Sequence, residues 1–224
     1  MRKGKVVLAA VAVLAVFALS PLYAAADTFT FDMTVPNTAI SPYAGPYATV
    51  SVNLVSGTTA TITFTSDTAA GNIYLMGSNA SVAVNVNAAS WTLGTVSGSN
   101  SGTGFLTASY SNDGAKSADG FGSFNQTIKS FDGFTHSSST ISFTLRNNRG
   151  TWAHANQVLV ANAKGYLAAM HVFVTSSPAR RSNGARATGY AANGPVKLPE
   201  PGVLTMLLVG LFPLGGFLSR LRCT

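Results

Sequence analysis

ATVSVNLVSGTTATITFT (residues 48–65) places apolar side chains at alternate positions, Val50, Val52 and Leu54 before a turn and Ile62 and Phe64 after it. Successive side chains of an extended chain point to opposite faces. Alternation of apolar residues with Ser, Thr and Asn is therefore what a strand with one buried and one wet face requires. Ser56-Gly57-Thr58, between the two runs, reads as the turn that folds one strand back beside the other. The same alternation recurs at Phe29, Phe31 and Met33, at Val82, Val84 and Val86, at Ile141, Phe143 and Leu145, and at Met170, Val172 and Val174. Turn-forming clusters separate these runs: Ala70-Gly71-Asn72, the Gly/Ser/Asn-rich residues 97–104, Asp113-Gly114 and Asp132-Gly133. A short helix over residues 152–163 (WAHANQVLVANA) is the one competing pattern. The expectation is an all-β body over residues 27–177, an antiparallel β-sandwich with the jelly roll as a variant.

Composition restricts what such a body does. Charged residues are 9% of the 224-residue chain, against about 25% in a typical soluble protein. Its polar surface is accordingly built from Ser, Thr, Asn and Gly. Formal net charge is +7, but the excess sits outside the body. Residues 1–26 hold three basic side chains and no acidic one, residues 27–177 five basic and six acidic, and residues 178–198 four basic and none acidic. A near-neutral body lacks the clustered Lys and Arg of a nucleic-acid interface, so no nucleic-acid partner is expected. Cys223 is the only cysteine, which excludes an intramolecular disulfide. A body of this size buries roughly 68–70% of its unfolded surface and can stand without one.

The two ends read as targeting segments. Arg2, Lys3 and Lys5 precede an uncharged apolar run at residues 6–19, and Ala24-Ala25-Ala26 offers the small residues of an A-x-A cleavage site. This is the pattern of a secretory signal peptide, a signal helix cut after Ala26, with Ala24 and Ala26 as the recognised pair. At the other end, residues 203–218 form an uncharged apolar run broken by Gly210, Pro213, Gly215 and Gly216 and followed by Arg220 and Arg222. Sixteen residues lie at the lower limit of a spanning helix. Basic residues beside such a run stay cytoplasmic, which holds the body outside the inner membrane. Residues 178–198, rich in Pro, Gly and Asn and carrying Arg180, Arg181 and Arg186, read as a flexible basic linker, with contact between these arginines and acidic polysaccharide or anionic lipid as the functional alternative.

Pro199-Glu200-Pro201, the apolar run at 203–218 and the arginines at 220 and 222, in this order at the extreme carboxyl end, resemble the sorting tail of the PEP-CTERM proteins of Gram-negative bacteria. The resemblance covers residues 199–224. Here the basic cluster is thin, with Leu221 between its arginines, and the chain runs on to Cys223-Thr224. The resemblance implies recognition by an exosortase, a membrane protease-transpeptidase that processes the tail near the triplet, after signal peptidase has acted at the other end. It also implies a transient membrane anchor, a final place at the cell surface or outside the cell, and association with exopolysaccharide or biofilm. It assigns no chemistry to the body.

Within the body, catalytic signals are sparse. His136, His154 and His171 are far apart in sequence, without the spacing of metal ligands. His171 alternates with the apolar positions and reads as a strand-surface residue. The carboxylates are all aspartates, and a hydrolase pair would come from Asp113, Asp119 and Asp132. The loop SNDGAKSADGFG carries two of these. Turn chemistry explains it, with calcium ligation as the alternative, and no other cofactor is expected. No G-x-S-x-G elbow or phosphate loop is present. Aromatics in FGSFNQTIKSFDGF, together with Trp152, offer a platform for sugar rings, with Trp152, Phe124 and Phe131 as the candidate glycan contacts and core filling as the competing role. The expected protein is a non-enzymatic surface or matrix protein; a carbohydrate-binding module and a secreted hydrolase are the alternatives.

Overall fold

A computed structural model describes residues 27–100, 102–130 and 133–194. Residues 1–26, read above as a signal peptide, Phe131, Asp132 and residues 199–224, read above as a sorting tail, lie outside the described residues. Strands dominate: β1 (Asp27–Pro36), β2 (Ala48–Ser56), β3 (Thr59–Ser66), β4 (Thr68–Ala69), β5 (Asn72–Met76), β6 (Val82–Val84), β7 (Trp91–Asn100), β8 (Tyr110–Ala118), β9 (Gly122–Ser130), β10 (Ser138–Asn147), β11 (Ala168–Ser176) and β12 (Ala187–Asn193). All strand pairings are antiparallel, and one continuous sheet results.

The quoted stretch forms the β2–β3 hairpin, with Val50 beside Phe64 and Val52 beside Ile62. From it the sheet extends in both directions. On one side β3 pairs with β10 and β10 with the edge strand β7. On the other, Asp27–Met33 of β1 pairs with β2, whereas Met33, Val35 and Pro36 pair with β12. Pairing is irregular between Met33 and Val35, and such an irregularity lets a strand bend from one part of a sheet to another. Beyond β12 comes β11, whose other edge pairs with β6 over Ala168–Met170 and with β5 over Val172–Ser176; β9 and β8 follow β6, and β4 follows β5. Ser138 also pairs with Met76, so the two halves of the sheet join at their other margin as well. Inward side chains of both halves, Val52, Ile62, Phe64 and Phe143 from one and Tyr74, Val82, Met170 and Val172 from the other, share one buried cluster. The arrangement is consistent with a β-sandwich.

The half containing β11 is covered on its second face too. Ala83, Ala169 and Ala192 form a cross-strand row buried with Phe121 and Phe124. Leu75 and Phe173 are buried with Ala179, with Phe105 and Phe134 against them. Strands buried on both faces lose the alternation that identifies a strand with one wet face.

That loss explains the main correction to the sequence reading. Of residues 178–198, read above as a linker, 178–194 belong to the body, with a 3-10 turn at Arg181–Asn183 and strand β12 between β1 and β11, and 195–198 lie outside the described residues. The strand ATGYAAN escaped recognition because its buried residues are small. Ala191 and Ala192 occupy the crowded middle of the sheet, on opposite faces of their strand. Asn193 fastens its end, its Oδ1 accepting from the Leu167 and Ala168 N–H groups at 2.9 and 3.0 Å. Two turn assignments also change. Residues 97–100 continue edge strand β7, and Asp113-Gly114 lies inside β8 where its pairing with β9 is irregular. Residues 152–163 contain a single 3-10 turn, Ala155–Gln157, rather than a helix.

Candidate functional site

The aromatic candidates for sugar stacking occupy the core. Trp152 is 3% exposed and Phe124 1%. Trp152 seals the end of the β2–β3 hairpin. Its backbone N–H donates to the Gly57 carbonyl at 2.7 Å and its indole Nε1–H to the Asn87 carbonyl at 2.7 Å. Phe124 lies on β9 in the cluster with Ala83, Ala118 and Phe121. Neither ring offers a face to a ligand. A Trp whose single donor is used internally and whose ring is buried is a packing residue. Phe131 lies outside the described residues.

Of the three candidate aspartates, Asp113 and Asp119 are each engaged in contacts of their own. Asp113 Oδ2 accepts from the Ala80 N–H at 3.3 Å and its Oδ1 lies 3.7 Å from the Lys116 ammonium. Asp119 accepts from the Asn37 amide at 3.2 Å, and Asp132 lies outside the described residues. Among the described residues there is no group of three or more His, Cys, Asp or Glu able to hold a metal ion.

His171 faces away from the main core, as its alternation implies, but the face is covered. Its ring lies 4.9 Å from that of Phe173 and 4.7 Å from that of Tyr190. Nδ1 is 2.8 Å from the Gly77 carbonyl, which can only accept, so Nδ1 carries the proton and the Thr188 hydroxyl donates to Nε2 at 2.9 Å. Burial pushes the imidazole below its ordinary range, against the smaller opposing effect of the Gly77 bond. It is a neutral tie between β11, β12 and the loop after β5, with no free lone pair for catalysis.

Two shallow clefts are lined by described residues. One, of about 340 Å³, is lined by Ile73, Gly102, Thr103, Ser177, Ala179 and Arg180. The other, of about 210 Å³, is lined by Asp27, Thr28, Phe29, His154 and Asn156. In the second, Asp27 Oδ2 accepts the Ala155 N–H at 2.8 Å and lies 3.3 Å from His154 Nδ1. Neither gathers a nucleophile and a base oriented by a third group.

The most organised surface is the outer face of the hairpin half. Three rows cross its strands in register. Thr30, Ser51, Thr63, Ser142 and Ser97 form one row across β1, β2, β3, β10 and β7. Asp32, Thr49, Thr65, Thr140 and Ser99 form the second, and Thr28, Asn53, Thr61 and Thr144 the third. Strand geometry spaces the positions about 4.8 Å across the sheet and about 6.8 Å along it. Thr63 and Ser142 hydroxyls bond each other at 2.9 Å, and the Thr49 hydroxyl reaches Asp32 and Asp67 at 3.1 and 3.3 Å. Asp32 carries the only formal charge in the three rows. The array presents hydroxyls that both donate and accept, beside the methyl groups of threonine. Its signal was visible in the sequence as the polar half of each alternation, which by itself says only that the face is wet; registration of the rows is a property of the sheet.

Comparison with family models, with curated proteins and with solved structures returns no match to this chain.

Proposed function

We propose that the chain is an exported cell-surface or extracellular-matrix protein, released from a signal peptide, held by its carboxyl tail and processed there by an exosortase. In this reading a β-sandwich body lies between a signal helix and a transmembrane tail. The body has no turnover chemistry and associates with exopolysaccharide through the Thr/Ser face of the β7–β10–β3–β2–β1 half. The observation that carries the body's role is that face: three registered rows, nearly uncharged, matching the hydroxyl-rich and apolar patches of a sugar chain in chemistry. It replaces Trp152 and Phe124 as the glycan contact. What supports export is the tripartite tail paired with the amino-terminal pattern, together with the position of the described fold between them. Its described residues run from Asp27 to Gly194, and four residues, 195–198, lie between Gly194 and Pro199.

Retention of the protein in native gels containing its own extracted exopolysaccharide tests this role. Combined Thr63→Val, Thr140→Val and Ser142→Ala substitutions keep the strand shape and remove three hydroxyls. The expected result is loss of most of the retardation with an unchanged thermal midpoint. Undiminished retardation would remove the face from consideration.

A further inference from the structure

The cleft beside Arg180 holds groups that the hydroxyl face does not use. Its walls come from three segments that backbone contacts clamp together. The Ser177 N–H donates to the Gly71 carbonyl at 2.9 Å and the Arg181 N–H to the Thr103 carbonyl at 3.1 Å, and Thr103 pairs with Arg180 in an isolated parallel bridge. Gly102 permits this approach: its φ is 110°, and a Cβ there would collide with the Ala179 carbonyl oxygen. Beneath lie the buried Leu75, Phe173 and Ala179, with Ile73 packed against them. The walls are therefore held by the fold itself. Arg186 at the rim is tied down, its Nη1 donating to Asn72 Oδ1 at 2.9 Å. Arg180, Thr103 and Ser177 are exposed, and their side chains have no hydrogen-bond or ion-pair partner among the described residues.

The three segments, residues 70–76, 102–106 and 176–186, carry Arg180, Arg181 and Arg186 and no acidic residue. A guanidinium without an internal carboxylate offers its planar fork to a carboxylate on a ligand. Beside it, the Thr103 and Ser177 hydroxyls both donate and accept, and Ile73, Pro178 and Ala179 supply apolar surface for the C–H face of a sugar ring. The volume of about 340 Å³ is near the lower end of small-ligand sites, roughly 300–1,000 Å³, and the shallow shape admits a residue within a chain. We propose that this cleft binds the carboxylate-bearing, uronic sugar residues of an acidic exopolysaccharide, with Arg180 on the carboxylate and Thr103 and Ser177 on ring hydroxyls. This rests on the reading of the body as an exopolysaccharide-associated protein, to which it adds the charge of the polymer. A bare phosphate would engage Arg180 and leave the apolar wall idle. The cleft lies on the outer side of the half containing β11, away from the hydroxyl face, so the two contacts do not compete.

Calorimetric titration of the full-length protein in detergent with an oligomer of galacturonic acid tests the cleft. The methyl-esterified oligomer, which keeps the rings and loses the charge, is the comparison. The expected result is saturable binding of the acid that weakens about tenfold or more in the ester and in Arg180→Gln, with Thr103→Val reducing it several-fold. Arg149→Gln, which removes an exposed cation elsewhere on the body, should leave binding unchanged. Should Arg180→Gln lower the thermal midpoint, Arg180→Lys reads the same contact, since it keeps the charge and loses the fork; full affinity in that variant overturns the carboxylate contact. No binding of the acid, equal affinity for acid and ester, or a loss in Arg149→Gln as large as in Arg180→Gln also overturns the cleft. Displacement by an equal concentration of inorganic phosphate overturns the sugar assignment. Absent calorimetric binding beside gel retardation that the Thr63→Val, Thr140→Val, Ser142→Ala protein loses removes the cleft and keeps the hydroxyl face. Binding of the acid beside undiminished retardation of that protein removes the face and keeps the cleft.

Discussion

Trp152 shows how one side chain separates a structural role from a binding role. A ring on a binding surface is removed at little cost to stability. Trp152, buried and bonded to Asn87, is expected to cost about 3–5 kcal/mol on replacement by alanine. Urea unfolding of Trp152→Ala measures this, and a midpoint equal to the parent's would return the residue to the surface. His171 gives a second residue-scale expectation, with its sign set by burial. Its folded-state pKa is lowered from the ordinary 6.5, so below about pH 6.5 the unfolded chain binds a proton that the folded chain resists. Stability from this group is therefore present above that pH and lost on acidification. His171→Phe, which keeps an aromatic ring between Phe173 and Tyr190, leaves the Gly77 carbonyl without this donor at a cost of about 1–3 kcal/mol. It should also flatten the stability profile between neutral pH and the mildly acidic range; an unchanged slope would contradict the neutral, buried assignment.

Among the elements, legibility followed burial on one face. β1, β2, β3 and β10 alternate cleanly because each has one inner and one polar side, and their residues were readable as strands from spacing alone. β12 was not, because small residues on both faces leave no apolar signal even though the strand is central. β7 was hidden differently. Gly98 punctuates a Ser/Gly run that looks like a turn, yet a side chain there would collide with the Tyr110 ring and the Thr140 carbonyl, so the glycine marks a close approach within a strand. Gly98→Val should therefore destabilise the body by about 1–3 kcal/mol through overpacking, measured by thermal unfolding; a neutral effect would mean that the approach is loose. The reassignment of β12 is tested by truncation. Protein ending at Ser177 loses the strand between β1 and β11 and should not unfold cooperatively. Protein ending at Gly194 should retain the full transition, and equal behaviour of the two would restore residues 178–194 as a linker.

At the scale of the whole molecule, the body, redrawn to residues 27–194, holds eight basic and six acidic side chains. It therefore remains close to neutral, and the cations added by the redrawn boundary lie at the end opposite Gly194. The site was less legible than the fold. Aromatic residues are a strong sequence cue for sugar binding and a strong cue for core packing, and spacing cannot separate the two. The Thr/Ser rows become apparent only when five strands are aligned, since residues 30, 51, 63, 142 and 97 share no sequence neighbourhood. The central claim is that this body is exported and sorted by loss of its tail. Intact-mass and terminal-peptide mass spectrometry of protein recovered from the native cell surface tests it most directly. The account predicts an amino terminus at Asp27 and a carboxyl terminus between Pro199 and Gly202, whereas a surface protein still ending at Thr224 would contradict it.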